Sequence, residues 1–169
     1  PETEKIVKSL NSNNGIYLVP AFTGLGAPHW NANSRGVLSG ITRDTSPKEI
    51  IRATIEAVAY QTHDLFEAMK HDGLRPRIVK VDGGMVMNNW FSQFLSDVVN
   101  VKVLRPKVQE TTAAGAAFMA GLKIGVYKSL KDIAKNWHLD KKFRPKMKNF
   151  KRNVLIKGWS KAIRRTLIN

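Results

Sequence analysis

The sequence contains no cysteine, which excludes a disulfide framework and any metal site built from thiolates. It also contains no apolar run that approaches the roughly 18 residues a membrane-spanning helix needs. No basic segment followed by an apolar one opens the chain, as a secretory signal would require. These absences predict a cytoplasmic protein that does not engage a membrane.

Acidic residues are scarce too, with 13 Asp and Glu against 28 Lys and Arg and a net charge of +15. The imbalance is greatest between residues 135 and 165, where Asp140 is the only acidic residue. A basic surface can bind nucleic acid by neutralising phosphates. Because no aromatic interleaving or recognised binding motif accompanies the charge, a solvated lysine-rich face is the favoured interpretation and nucleic-acid binding the less favoured one.

The chain length suits one globular domain. Its 169 residues, 43 % of them hydrophobic and 24 % charged, are enough to build a buried core. Its first residue, Pro1, cannot start translation. We therefore expect either a removed initiator methionine or a piece of a longer protein.

Local signals predict alternating strands and helices. Ser46 suits an N-cap, Pro47 suits the first helical position and Glu49 completes a capping box, so a helix should begin at "SPKE" and stop at "HDG". Strands are expected in residues 16–22, 37–42, 77–84 and 101–106, the third of them buried, and further helices near residues 88–99, 111–125, 129–137 and 150–167. This order predicts an α/β fold with parallel strand pairing. The small residues of 111–125 suggest that another part of the molecule approaches that helix closely.

Gly83 and Gly84 follow a predicted strand and precede a predicted helix. Ligands of open α/β sheets bind at this position, and a turn without side chains lets backbone N–H groups approach a nucleotide. A tight turn needs glycine in any case, so both interpretations remain open. Asp82 is expected to bond the next turn, and Glu56 and Asp64 to be solvated or capping groups.

A metal site has little support in the sequence. The four histidines lack paired ligand spacing and are expected at the surface or at helix caps. The sequence also shows no nucleophile elbow and no Walker phosphate loop. The residues by themselves therefore indicate an α/β protein with a candidate nucleotide turn.

Longer segments carry a specific resemblance. "GIYLVPAFTGLGAPHW", "GVLSGITRDTSPKEIIRATIE", "VDGGMVMNN" and "ETTAAGAAFMAG" resemble the FGGY carbohydrate kinases, and in particular the glycerol kinase branch of that family. The resemblance implies an α/β fold of the ribonuclease H-like, actin-like ATPase type. Residues 1–14 would be a helix end and linker, and residues 15–169 part of the carboxy-terminal kinase domain, whose first strands would lie upstream.

The same resemblance implies a function and its site. The family transfers the γ-phosphoryl group of ATP, with Mg²⁺, and the glycerol kinase branch makes glycerol 3-phosphate. By position, Gly84 and Asn88 would contact the adenine nucleotide, with Gly83 as the neighbouring backbone and Thr112 and Gly115 as secondary candidates. No catalytic residue or metal ligand is assigned in this chain, because the catalytic aspartate, the phosphate loop and the glycerol-binding residues would lie upstream.

Several expectations follow for the chain on its own. It should be inactive and poorly stable unless an amino-terminal kinase domain or chain pairs with it, and it could form a homo-oligomer. Two alternatives stay open: a non-catalytic remnant of a split or decayed kinase, and a basic nucleic-acid-binding module.

Overall fold

The computed structural model describes residues 2–168. In chain order its elements are α1 (Glu2–Lys8), β1 (Tyr17–Val19), β2 (Val37–Ser39), α2 (Pro47–His71), β3 (Ile78–Lys80), a 3₁₀ helix (Gly84–Met87), α3 (Asn89–Val99), β4 (Lys102–Pro106), α4 (Thr111–Lys123), α5 (Leu130–Ala134), β5 (Leu139–Phe143) and α6 (Asn149–Leu167).

Helix α2 begins where the sequence predicts. The Ser46 hydroxyl oxygen accepts the Lys48 N–H at 3.2 Å, and the Ser46 N–H donates to Glu49 Oε2 at 3.0 Å, which closes the capping box. Gly73, just beyond the helix, has a φ of +85°, a value that glycine adopts without strain. Both predicted ends of α2 are therefore confirmed.

The strands form two sheets. β1 and β2 pair antiparallel, while the second sheet has the order β3-β4-β5. β3 and β4 run parallel, with Val79 opposite Val103, and α3 provides the crossover between them. The predicted α/β class is confirmed, but the predicted parallel pairing holds only for β3–β4, since β1–β2 and β4–β5 are antiparallel. The sequence did not indicate β5, because its exposed "LDKKF" lacks the apolar alternation of a half-buried strand.

The core lies where α2 meets α1, α3 and β1, and α6 closes it by packing on β1 and α3. Tyr60 of α2 stacks on Trp159 of α6 with ring centroids 5.3 Å apart and meets Phe94 of α3 edge-on at 5.6 Å. Aromatic pairs of this kind stabilise a core beyond their buried area. The long helix therefore joins the amino-terminal and carboxy-terminal elements.

One packing expectation was wrong, and a second holds for only part of its helix. β3 is not a buried strand: Ile78 is 50 % exposed, because within residues 2–168 β3 pairs with β4 alone and lies at the sheet edge. Helix α4 is approached closely at Gly121, where an added Cβ would lie 2.9 Å from the Tyr127 ring, but a Cβ added at Gly115 would meet no atom of the described chain within 4 Å.

Among the described residues, no helix combines the length and the apolar character that crossing a bilayer requires.

Candidate functional site

The glycine turn lies at the carboxyl end of β3, against the neighbouring strand. The Val81 N–H donates to the Leu104 carbonyl at 3.1 Å, and the Gly83 N–H donates to the Gln109 carbonyl at 3.2 Å. Gly83 has φ +85° and ψ 172°, a conformation that an L side chain rarely adopts. Backbone geometry therefore explains the first glycine of the pair.

The space beside the turn is open. A Cβ added at Gly83 or at Gly84 would meet no described atom within 4 Å. Gly84 has no positive φ and begins the 3₁₀ helix, so its own conformation does not demand glycine. A bare backbone facing open space at a strand end is suited to close approach by a flat ligand.

Asn88 connects the 3₁₀ helix to α3. Its side-chain oxygen accepts the Phe91 N–H at 3.0 Å, and its own N–H donates to the Met85 carbonyl at 3.1 Å. The side chain is buried, with 5 % of the residue exposed. The predicted capping role is confirmed, and it falls to Asn88 rather than to Asn89.

Two further hydrogen bonds stabilise the segment between the glycine turn and α3. Glu4 Oε2 accepts the Asn89 N–H at 3.2 Å, and the Ser92 hydroxyl donates to the Val86 carbonyl at 2.8 Å. A hydrogen bond from Lys8 lowers the pKa of Glu4, which keeps this carboxylate charged. Glu4 lies 85 residues before Asn89 and shares no motif with it, so sequence reasoning missed it.

Asp82 has a more distant partner than expected. The Thr111 hydroxyl, at the first position of α4, donates to Asp82 Oδ2. Asp82 therefore links the end of β3 to the start of α4, instead of closing the turn beside it.

A groove of about 520 Å³ is lined by residues of β3, the end of β4, α4 and the segment around α5. Lys80, Val108, Phe118 and Trp137 contribute to its mainly apolar wall, and Lys80 Nζ lies 4.3 Å from the Trp137 ring centroid. Gly83, Gly84 and Asn88 do not line this groove. The three primary site residues therefore lie together at the turn, whereas the secondary candidates Thr112 and Gly115 lie on α4.

Helix α2 carries two buried polar clusters that the sequence did not indicate. Glu56 is fully buried and accepts hydrogen bonds from Arg52 Nε at 2.7 Å and from the Tyr60 hydroxyl at 2.9 Å. Burial raises the pKa of Glu56, and Arg52 opposes that shift. The expectation of a solvated Glu56 was wrong, because α2 is covered on more sides than its polar residues suggest.

The second cluster surrounds Asp64. Its Oδ2 accepts Trp159 Nε1–H at 2.7 Å and lies 3.1 Å from His29 Nε2. His63 is buried rather than at the surface, and within the described chain its Nδ1 has no hydrogen-bond partner, lying 3.5 Å from Asp64 Oδ1 in poor alignment. Asp64 is thus a structural carboxylate that joins α2, α6 and the loop containing His29.

Residues 2–168 contain no group of three or more His, Asp or Glu side chains placed to hold a metal ion.

Comparison with known proteins places these observations in a family. The model of the FGGY family of carbohydrate kinases, C-terminal domain, matches residues 3–124. Glycerol kinase 1 of Pseudomonas aeruginosa is 53 % identical over 164 residues, which cover 97 % of this chain and 33 % of that protein. Glycerol kinase of Thermoanaerobacter pseudethanolicus is 49 % identical over 168 residues, covering 99 % of this chain and 34 % of the relative.

A solved structure supports the same relationship. The crystal structure of Plasmodium falciparum glycerol kinase with ADP superposes with a TM-score of 0.85 at 35 % identity, covering 99 % of this chain and 34 % of that one. The ribonuclease H-like fold prediction is confirmed. The chain spans about a third of the length of the curated relatives it matches.

Proposed function

Because the chain belongs to the FGGY family of carbohydrate kinases, we propose that it is the carboxy-terminal part of an ATP-dependent glycerol kinase. The complete enzyme would transfer the γ-phosphoryl group of ATP to glycerol. This chain would supply the adenine side of the nucleotide site, and residues 15–169 would form part of the carboxy-terminal domain.

The observation that carries the proposal is the identity of 53 % and 49 % to two glycerol kinases across nearly the whole chain. The substrates of the proposed enzyme, ATP and glycerol, come from that similarity. The structure adds independent support for the nucleotide part, because the glycine turn is open and leads directly into the α3 N-terminus.

Gly83, Gly84 and Asn88 would each contribute differently. Gly83 would give the turn its left-handed conformation, and Gly84 would present bare backbone to the adenine ring. Asn88 would hold the α3 N-terminus in place through its cap and face the nucleotide from there. Phosphoryl transfer depends mainly on positioning and electrostatic stabilisation, so a fixed nucleotide is a direct contribution to the reaction.

The remaining parts of the reaction are assigned elsewhere in the proposed enzyme. A catalytic aspartate, a phosphate loop and glycerol-binding residues would come from an amino-terminal kinase part, which is the main proposed partner. Bound Mg²⁺ would supply charge neutralisation at the phosphates. By this proposal the present chain alone binds nucleotide and does not turn over substrate.

The test is a matched pair of glycine variants in the complete protein that carries this chain. Gly84→Val should weaken ADP binding, measured by calorimetry, by about tenfold or more through steric exclusion of the ring. Gly26→Val is the control, because Gly26 also has open space around it and no positive φ but lies in the loop before His29. It should leave ADP affinity unchanged.

The other outcomes distinguish the alternatives. No ADP binding by the unchanged complete protein would contradict the proposal. ADP binding without glycerol-dependent ADP formation would favour a non-catalytic remnant. Binding to RNA that falls steeply with salt, without ADP binding, would favour the basic module.

A further inference from the structure

Arg105 of β4 is a buried arginine that contacts the end of the 3₁₀ helix Gly84–Met87, which follows the glycine turn. Only 5 % of the residue is exposed. Its Nη1 donates to the Val86 carbonyl at 2.7 Å and to the Met87 carbonyl at 3.4 Å, and its Nη2 donates to Asn89 Oδ1 at 3.4 Å. One guanidinium therefore holds both carbonyl oxygens at the end of the 3₁₀ helix and the first side chain of α3.

The opposite side of this guanidinium is held by Asp140 of β5. Arg105 Nε donates to Asp140 Oδ2 at 2.7 Å. A buried arginine without a counter-charge is strongly unfavourable, so Asp140 makes the position of Arg105 stable. Asp140, the single acidic residue of the basic stretch 135–165, is therefore the charge partner of the buried Arg105.

A register shift in the β4–β5 pair places Asp140. Arg105 is opposite Lys141, but Pro106 is opposite Leu139, so Asp140 has no Cα partner on β4. An extra residue of this kind redirects a side chain that regular alternation would send to the other face. Lys141, opposite Arg105, donates to Asn89 Oδ1 at 3.0 Å. Asp140 therefore contacts Arg105, and Lys141 contacts the Asn89 side chain that Arg105 also contacts.

The chemistry of the contact requires arginine. The planar guanidinium directs Nε toward Asp140 and Nη1 toward the turn at the same time, whereas a lysine ammonium is a compact charge at the end of a flexible chain. Lysine could keep the charge near Asp140, but it could not keep both sets of hydrogen bonds.

We propose that the Arg105–Asp140 pair sets the conformation of the Gly84–Met87 turn and makes Arg105 a positioning residue for adenine nucleotide binding. The nucleotide part of this inference depends on the proposed function. The positioning part does not, because it concerns the turn with no ligand present. The two parts can therefore be tested separately.

The first experiment measures amide hydrogen exchange without nucleotide in the complete protein carrying Arg105→Lys or Asp140→Ala. Amides of residues 85–89 should exchange about tenfold faster in both variants, because the charged hydrogen bonds that hold the turn are lost. Arg52→Lys is the matched control. Arg52 is equally buried and donates through Nε to Glu56 at 2.7 Å, but its Nη1 goes to the Leu10 carbonyl instead of the turn.

The second experiment measures ADP affinity and melting temperature in the same proteins. Arg105→Lys and Asp140→Ala should weaken ADP binding by about tenfold. Arg52→Lys should lower the melting temperature by at least as much while leaving ADP affinity within about twofold of the unchanged protein. A general loss of stability would not produce this separation.

The outcomes decide the two parts independently. Unchanged exchange of residues 85–89 in Arg105→Lys, or equal exchange in Arg52→Lys, would overturn the positioning role. Faster exchange with unaltered ADP affinity would overturn the link to nucleotide binding. If the unchanged protein does not bind ADP, the proposed function fails, and the exchange comparison alone decides whether the pair sets the turn.

Discussion

At the scale of single residues, Asp64 shows how a half-buried carboxylate makes stability depend on pH. Burial raises the pKa of Asp64, but the neighbouring His63 ring and the hydrogen bonds from Trp159 and His29 lower it by more, so the folded pKa lies below the ordinary value. Its contribution to stability is therefore complete above the unfolded pKa of about 4 and is lost as the pH falls through the lower folded pKa. We expect Asp64→Asn to reduce the free energy of unfolding at pH 7 by about 1 to 3 kcal/mol and to flatten the decline of that free energy as the pH falls below about 5. Urea unfolding at several pH values measures both effects. Asp72→Asn, an exposed aspartate just beyond the same helix, is the control, and equal pH slopes in the two variants would contradict the assignment.

At the scale of elements, glycine has opposite roles in two helices. A Cβ at Gly158 of α6 would lie 2.2 Å from the Tyr17 hydroxyl oxygen and 2.4 Å from Tyr17 Cζ, so this glycine lets α6 pack on β1. Tyr17 is buried and in contact with Tyr60, which limits its movement. We expect Gly158→Ala to destabilise the protein by about 1 to 3 kcal/mol. Gly115→Ala, in the open middle of α4, should instead stabilise it by about 0.5 to 1 kcal/mol, because alanine has the better helix propensity. Thermal and urea unfolding compare the two variants, and a destabilising Gly115→Ala would mean that α4 packs against something more.

At the scale of the whole molecule, exposed apolar residues gather around β3 and α4. Ile78, Val108, Met119 and Val126 are each at least half exposed, and in the described chain β3 leaves one edge unpaired. Open edges with apolar neighbours favour association between chains. We expect the isolated 169-residue polypeptide to associate as its concentration rises, as sedimentation velocity would show, and Ile78→Lys to shift the distribution toward monomer. Val154→Lys on α6, also an exposed apolar residue, is the control and should have little effect. A sharp thermal transition from a monomer, independent of concentration, would contradict this expectation.

Much of the fold could be predicted because its signals are local. The capping box at Ser46 and the cap at Asn88 are hydrogen bonds between residues no more than three apart, so the sequence around them contains all that they need. β5 was not predicted, because its residues are mostly exposed and form a strand only by pairing with β4. The exposed β3 and α4 differ from expectation because a hydrophobic pattern does not reveal which partner will cover it.

In the candidate site, too, the locally determined features could be predicted from the sequence and the long-range contacts could not. Residue type and order alone determined the glycine turn, the helix after it and the family resemblance, since these depend on backbone freedom and neighbouring residues. Only the tertiary structure decided that Arg105 reaches back to Val86 and forward to Asp140, contacts separated by 19 and 35 residues. It also decided that Glu56 is buried and that Asp64 is half-buried. The physical reason is that a charged side chain is stable in a buried position only once the folded chain brings its partner to it, and no local pattern in the sequence records that partner.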